Sequence, residues 1–119
     1  MKILVVSNNT SVLMNLCIRL ESVFPLETIV QERDSLMAGK YAFNNKIDMI
    51  FADINMKRMN GVELVEFVKH DNPKVQAFLV GTAEEIFELT VSVPEDVDGI
   101  LTYPFTDDLV VNMSADEKK

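Results

Sequence analysis

In the stretch IDMIFADINMKRMNGVEL, Ile47 to Leu64, an apolar run closes on one acid, Asp53. A short loop follows and ends at Asn60–Gly61, and Gly61 opens an amphipathic segment. A lone carboxylate at the C-terminal end of a buried strand lies where open α/β sheets bind ligands and carry out chemistry. The plainer reading is a polar strand terminus whose carboxylate accepts loop N–H bonds. The other strand ends supply Ser7, Asn8 and Asn9, then Asn55 behind Asp53, then Gly81 and Thr82, then Tyr103 before Pro104. That set holds one carboxylate, no cation and no histidine.

The elements that would position these residues alternate along the chain. Ile3–Val6 is a continuous apolar run, as expected for a strand covered on both faces. Asn9–Thr10–Ser11 can cap a helix from about Val12 to Val23, stopped by Pro25. Glu27–Gln31 reads as the second strand. Asp34–Ser35 caps a second helix, with Leu36, Met37, Tyr41 and Ala42 expected to face inward. Asp48–Ala52 is the third strand, and Gly61–Lys69 a helix that ends before Asn72–Pro73. Val75–Val80 is the fourth strand, Ala83–Val93 a helix stopped by Pro94, and Gly99–Thr102 a fifth strand. Thr106–Asp107 would cap a last helix. Five alternations imply a parallel sheet with helices on both faces, and right-handed crossovers place all strand C-termini on one edge.

Composition narrows the function classes. The chain has 119 residues, 48% of them hydrophobic, which suits one domain with one ordinary core. No apolar run approaches the roughly 18 residues that would span a bilayer, and MKILVVSNN lacks the features of a secretory signal. A cytoplasmic location without membrane contact is expected. Nineteen acids against eleven bases give a net charge of -8, which disfavours direct nucleic-acid binding by this segment. Cys17 is the only cysteine, so no internal disulfide or zinc cluster is available. It falls on the stripe Leu13, Leu16, Leu20, Phe24 and is expected to be a buried, inert thiol.

Asp53, Ile54, Met56, Met59, Asn60, Gly61, Val62, Glu63 and Leu64 stand in the register of a known motif. That motif is an Asp ending the third strand, an apolar residue, a Met three on, then Met-Asn/Asp-Gly-apolar-Glu-Leu. Over nearly its whole length the chain resembles a response-regulator receiver domain, and Tyr103–Pro104–Phe105 resembles the family's Lys-Pro-Phe. The resemblance implies a flavodoxin-like (CheY-like) doubly wound sheet of five parallel strands in a three-layer sandwich. It also implies a phosphoacceptor at Asp53, a switch residue at Thr82 or Gly81, and signalling rather than enzymatic work, with no catalytic residue. Thr82–Ala83 reads like the family's Thr-Ala pair, but a gapless count from Asp53 puts Gly81 on that position. The implied partners are a histidine kinase or an output domain, and a homodimer through a face spanning residues 84–113. One receiver domain over residues 1–119 is expected, with a C-terminal effector domain absent from this chain.

The departures are chemical. Receivers carry two adjacent acids after the first strand, and this chain has Ser7–Asn8. Receivers carry Lys where Tyr103 stands, often an aromatic at Ile100, and a loop proline at Lys57. In the family the acids and the acceptor Asp hold Mg²⁺, and the Lys contacts the phosphoryl oxygens. Magnesium favours oxygen ligands that include carboxylates, so only weak Mg²⁺ binding at Asp53 is expected and no other cofactor. Loss of one preorganised electrostatic group typically costs about 10²–10³ in rate. The expectation is a degenerate receiver with impaired Mg²⁺-dependent phosphorylation, acting by protein–protein interaction on an output domain, with transcription as the output. Two alternatives stay open. One is an ordinary Asp53-phosphorylated receiver with Asn8, Thr82 and Tyr103 compensating. The other is a flavodoxin-like electron carrier, poorly provided for by a first loop without glycine and a chain without Trp.

Three further features have plain readings. Asn9 to Ser11 read best as a helix cap. His70, the only histidine, reads as a solvated residue near a helix C-terminus. On the helix after the fourth strand, Ile86, Leu89 and Val93 form a core stripe, and Phe87 and Val91 a second ridge, either a wide core face or a partner face. Glu84, Glu85 and Glu88 with Glu95, Asp96 and Asp98 make that side acidic, a solvated face that could also prefer a basic partner.

Overall fold

Strand and helix alternate as the apolar pattern requires. The computed structural model describes residues 1–89 and 97–105. The order is β1 (Lys2–Val6), α1 (Thr10–Val23), β2 (Thr28–Glu32), α2 (Ser35–Asn44), β3 (Met49–Asp53), α3 (Gly61–Asp71), β4 (Gln76–Thr82), α4 (Ala83–Leu89) and β5 (Gly99–Tyr103). Val91, Val93, the Pro94 stop, Glu95, Asp96 and the expected last helix lie outside the described residues.

The five strands form one parallel sheet in the order β2-β1-β3-β4-β5, the doubly wound arrangement expected. Successive side chains feed opposite faces. Ile3, Val5, Met49, Phe51, Phe78 and Val80 pack with Leu13, Leu16 and Leu20 of α1. Leu4, Val6, Ile50, Ala52 and Leu79 pack with Leu64, Val65 and Val68 of α3 and Ala38 of α2. Both faces are covered, which is why the strands read as unbroken apolar runs rather than alternating ones. Phe51 and Phe78 stack at 5.0 Å between ring centroids across the β3–β4 pair. Cys17 is buried as expected, and burial, with a smaller effect of Glu21, pushes its thiol up to about 11.

Two expectations on the helices fail. Leu36 and Met37 of α2 are exposed, and Ser35, Ala38 and Gly39 face the core instead. Gly39 accounts for the rotated phase. A Cβ there would sit 3.3 Å from the Phe67 ring of α3, so the two helices meet where α2 has no side chain. Asp98 does not belong to the acidic side of α4. Its carboxylate accepts the Ala77 N–H at 2.7 Å and pairs with Lys69 at 3.1 Å, at the N-terminal end of β5.

Candidate functional site

Asp53 is the last residue of β3 and is only 7% exposed. The loop after it closes tightly on the strand end. A Cβ on Gly61 would fall 2.4 Å from the Asp53 carbonyl oxygen, so only glycine lets α3 start this close. Asn60 and Glu63 then form a reciprocal capping box. The Asn60 side chain accepts the Glu63 N–H at 2.9 Å, and the Glu63 carboxylate accepts the Asn60 N–H at 3.1 Å. Asn60 and Gly61 therefore act on the site through the helix start they fix.

The Asp53 carboxylate is held from two sides. The buried Ser7 hydroxyl donates to Oδ2 at 2.7 Å, and the Asn55 backbone N–H donates to Oδ1 at 3.0 Å. Ser7 Oγ also accepts the Asn9 N–H at 3.0 Å, which ties the loop after β1 to the same oxygen. Asn9 itself caps α1, as its sequence context predicts, accepting from Ser11 and Val12. Asn8 turns away. Its side-chain N–H donates to the Arg33 carbonyl and its oxygen accepts the Lys57 N–H at 2.9 Å, so both ends of the amide are used between loops. As a compensating group at Asp53, Asn8 is not in place.

A cavity of about 160 Å³ opens beside the carboxylate, lined among others by Asp53, Asn55, Gly81, Thr82, Glu85 and Tyr103. Both candidates for the switch position are there, in different states. Gly81 is buried inside β4, and Thr82 ends the strand and is exposed. The Thr82 hydroxyl accepts the Glu85 N–H at 3.2 Å, and the Glu85 carboxylate accepts the Thr82 N–H at 2.8 Å. Tyr103, expected at the family's lysine position, ends β5 and packs edge-on against Phe105, with 5.2 Å between centroids.

Glu85 is the residue that sequence reasoning missed here. The charge pattern places it on a solvated acidic face, yet it lines the cavity, and its charge reaches Asp53. The signal was present in Thr82-Ala83-Glu84-Glu85, since a Thr followed by Glu three residues on folds back onto the helix start. The edge thus carries two carboxylates rather than one. Burial pushes the Asp53 carboxyl above the ordinary aspartate value, the bonds from Ser7 and Asn55 pull it back, and Glu85 pushes it up again. Phe87 of α4 is 77% exposed, and Ile86 and Leu89 are partly buried. His70 is exposed in the last turn of α3.

Solved structures share this fold. A response regulator receiver domain protein from Clostridium thermocellum superposes with a TM-score of 0.78 at 20% identity, over 98% of this chain and 95% of that one. The chemotaxis response regulator CheY4 of Vibrio cholerae gives 0.77 at 21% identity, over 97% and 96%. The receiver domain of a sensor histidine kinase from Pseudomonas aeruginosa PAO1, solved with a magnesium ion coordinated in its active-site cleft, gives 0.81 at 15% identity, over 97% and 94%. No curated protein sequence matches the chain.

Magnesium suits the donor set here poorly. The ion favours several oxygen ligands in near-octahedral geometry, usually with one or two carboxylates and waters. Ser7 Oγ already accepts the Asn9 N–H, Asn8 is committed to two backbone groups, and one Glu85 oxygen is committed to the Thr82 N–H. Among the described residues no three acidic, histidine or cysteine side chains are grouped to hold a metal. The order and pairing of the strands, by contrast, agree with the sequence. The profile of the response regulator receiver domain matches residues 3–114, nearly the whole chain, and on that match the chain belongs to the receiver-domain family of two-component signalling.

Proposed function

We propose that this receiver does not cycle by ordinary Mg²⁺-dependent phosphorylation of Asp53 and works instead through protein–protein contact. One observation carries the reading: the cavity at Asp53 is lined by a second carboxylate, Glu85, and by no cation among the described residues. In-line phosphoryl transfer needs positive charge or oriented donors around the equatorial oxygens. Tyr103 can donate a hydrogen bond there but brings no charge, and a nearby carboxylate opposes an arriving phosphoryl group. Residues 1–119 are then a cytoplasmic receiver domain that serves as an input module and gates an output domain, transcription being the output we favour. One structural neighbour, at 18% identity, is a two component transcriptional regulator from Clostridium phytofermentans. Partner contact is assigned to the face that includes the exposed Phe87, with Val91 alongside it in sequence.

Incubation with a small phosphodonor and Mg²⁺, followed by intact-mass spectrometry, tests this. The expected result is an unchanged mass, and stoichiometric addition of one phosphoryl group at Asp53 would falsify it. That outcome would establish the second reading, an ordinary phosphorylated receiver, which the hydroxyls of Thr82 and Tyr103 at the cavity favour. An electron-carrier role has little room, since the cavity beside Asp53 is about 160 Å³ and cofactor sites run from about 300 to 1,000 Å³.

A further inference from the structure

Asp53 is 7% exposed and ionisable, and it accepts one hydrogen bond on each oxygen. An ionised carboxylate offers about four acceptor positions, and donors among the described residues fill two of them. Glu85 adds a second carboxylate on the same cavity, close enough for its charge to be felt at Asp53. Two like charges at a part-buried site disfavour each other unless a cation joins them. The cavity stays open because position 81 is glycine. A Cβ there would lie 2.9 Å from Ile54 Cδ1 and 3.2 Å from a Glu85 oxygen.

A second, more open groove of about 340 Å³ adjoins the cavity, with Asn55 and Glu85 in the lining of both. The groove adds Ile54, Met56 and Leu89 as an apolar floor and Glu88 as another acid. An apolar groove beside a cavity that holds two carboxylates matches a side chain with an aliphatic stem and a cationic head. Among the described residues lining either space there is no Lys, Arg or His.

We propose that this cleft receives a lysine or arginine side chain of a partner protein, its stem over Ile54 and Leu89 and its cation between Asp53 and Glu85. The partner would thereby supply in trans the positive charge that Tyr103 does not. A guanidinium is the better fit, because its five donors can serve Asp53, Glu85 and the Asn55 amide oxygen together. A bare divalent ion fits less well, since it needs direct oxygen ligands that the neighbouring side chains have already committed. The chain's net charge of -8 favours a basic partner at long range as well. This inference rests on the reading of Asp53 as a site without its own cation.

The test is an NMR titration of the ¹⁵N-labelled full chain with an acetylated and amidated Gly-Arg-Gly peptide. The expected result is saturable shifts centred on the amides of Asn55, Thr82 and Glu85. The citrulline version of the peptide, which has the shape without the charge, should leave them unmoved. Glu85→Gln should weaken binding about tenfold or more, the scale of one charge-assisted hydrogen bond. It keeps an oxygen for the Thr82 N–H, so the start of α4 survives. Equal response to both peptides, shifts scattered over the acidic surface without saturation, or displacement of the peptide by equimolar Mg²⁺ would each overturn the proposal. Phosphoryl uptake by the protein alone is read separately by mass. It would end the reading of the site as inactive without altering the titration, and a failed titration leaves that reading standing.

Discussion

The side-chain oxygen of Asn8 accepts the backbone N–H of Lys57 at 2.9 Å. Two positions at which this chain departs from the receiver pattern are therefore in contact with each other. A proline at 57 has no N–H to give, so the asparagine at 8 and the non-proline at 57 depend on one another. The other end of the Asn8 amide donates to the Arg33 carbonyl. An aspartate at 8 would keep the Lys57 bond and lose the Arg33 bond.

It follows that restoring the acid alone should accomplish little. Asn8→Asp should raise Mg²⁺ affinity only modestly, because the new carboxylate stays engaged by Lys57, and phosphoryl uptake should stay low while position 103 carries no cation. Asn8→Asp with Tyr103→Lys should raise Mg²⁺ affinity and phosphoryl uptake together, and adding Lys57→Pro should raise both further by releasing residue 8. Calorimetric Mg²⁺ titration and intact mass read the two quantities. No gain in either from the double variant would show that the deficit is not electrostatic.

The pH dependence of stability has a defined sign at Asp53. Burial first, and Glu85 as well, hold its carboxyl above the ordinary value despite the bonds from Ser7 and Asn55. The native state therefore keeps this proton more tightly than the unfolded chain. The stability so gained is fully present below the unfolded value of about 4 and is lost as pH rises through the raised native value. Asp53→Asn removes the titration. The variant should gain on the wild type from about pH 4 upward and then level off, with roughly 4 °C of Tm for each kcal/mol of advantage. A difference that is flat with pH, or one that shrinks as pH rises, would show that Asp53 is not the group responsible.

The strands were legible because burial on both faces leaves unbroken apolar runs that turn residues delimit. The capping residues Asn9 and Asp34 were legible for the same local reason. Asp53, Ser7, Thr82 and Tyr103 could be placed at one edge because parallel topology fixes where strands end. The phase of α2 was not legible. Leu36 and Met37 are the larger apolar residues, yet the packing turns on Gly39 meeting Phe67, a contact between residues far apart in sequence. The direction of Asn8 depended in the same way on loops around Arg33 and Lys57. Asp98 could not be separated from Glu84 and Glu88 without knowing that it meets the Ala77 N–H and Lys69 at the start of β5.

Ser7 is the donor that makes a buried Asp53 tolerable. Its hydroxyl gives Asp53 a bond of 2.7 Å and takes the Asn9 N–H at 3.0 Å. Ser7→Ala removes both and leaves a buried acceptor short of a partner, at a cost of about 1–3 kcal/mol. Asp53 should titrate at a still higher pH in this variant, since the Ser7 bond is the larger of the two that lower it. Urea unfolding at pH 7 should show the full loss, and at acid pH a smaller one. An unchanged midpoint at pH 7 would mean that water replaces the hydroxyl without cost.

Gly61 offers the sharpest test of how the loop after β3 is built. Its φ is not positive, so left-handed backbone is not the reason for glycine. The reason is distance, because a Cβ would sit 2.4 Å from the Asp53 carbonyl oxygen and 2.8 Å from its carbon. Both are backbone atoms of the central strand, with no flexible side chain able to yield. In an open helix start, Gly→Ala would add up to about 1 kcal/mol through propensity. Here the steric demand reverses that sign, and Gly61→Ala should destabilise by about 1–3 kcal/mol or more. The displacement should also reach the site, because Gly61 N–H donates to the Ile54 carbonyl at 3.2 Å and Ile54 lines the groove beside Glu85. Denaturant midpoints report the first effect and the amide shifts of Asn55 and Glu85 the second. A variant as stable as the wild type, with both amides unmoved, would show that the strand end tolerates a side chain and that the tight closure is not what places Asp53.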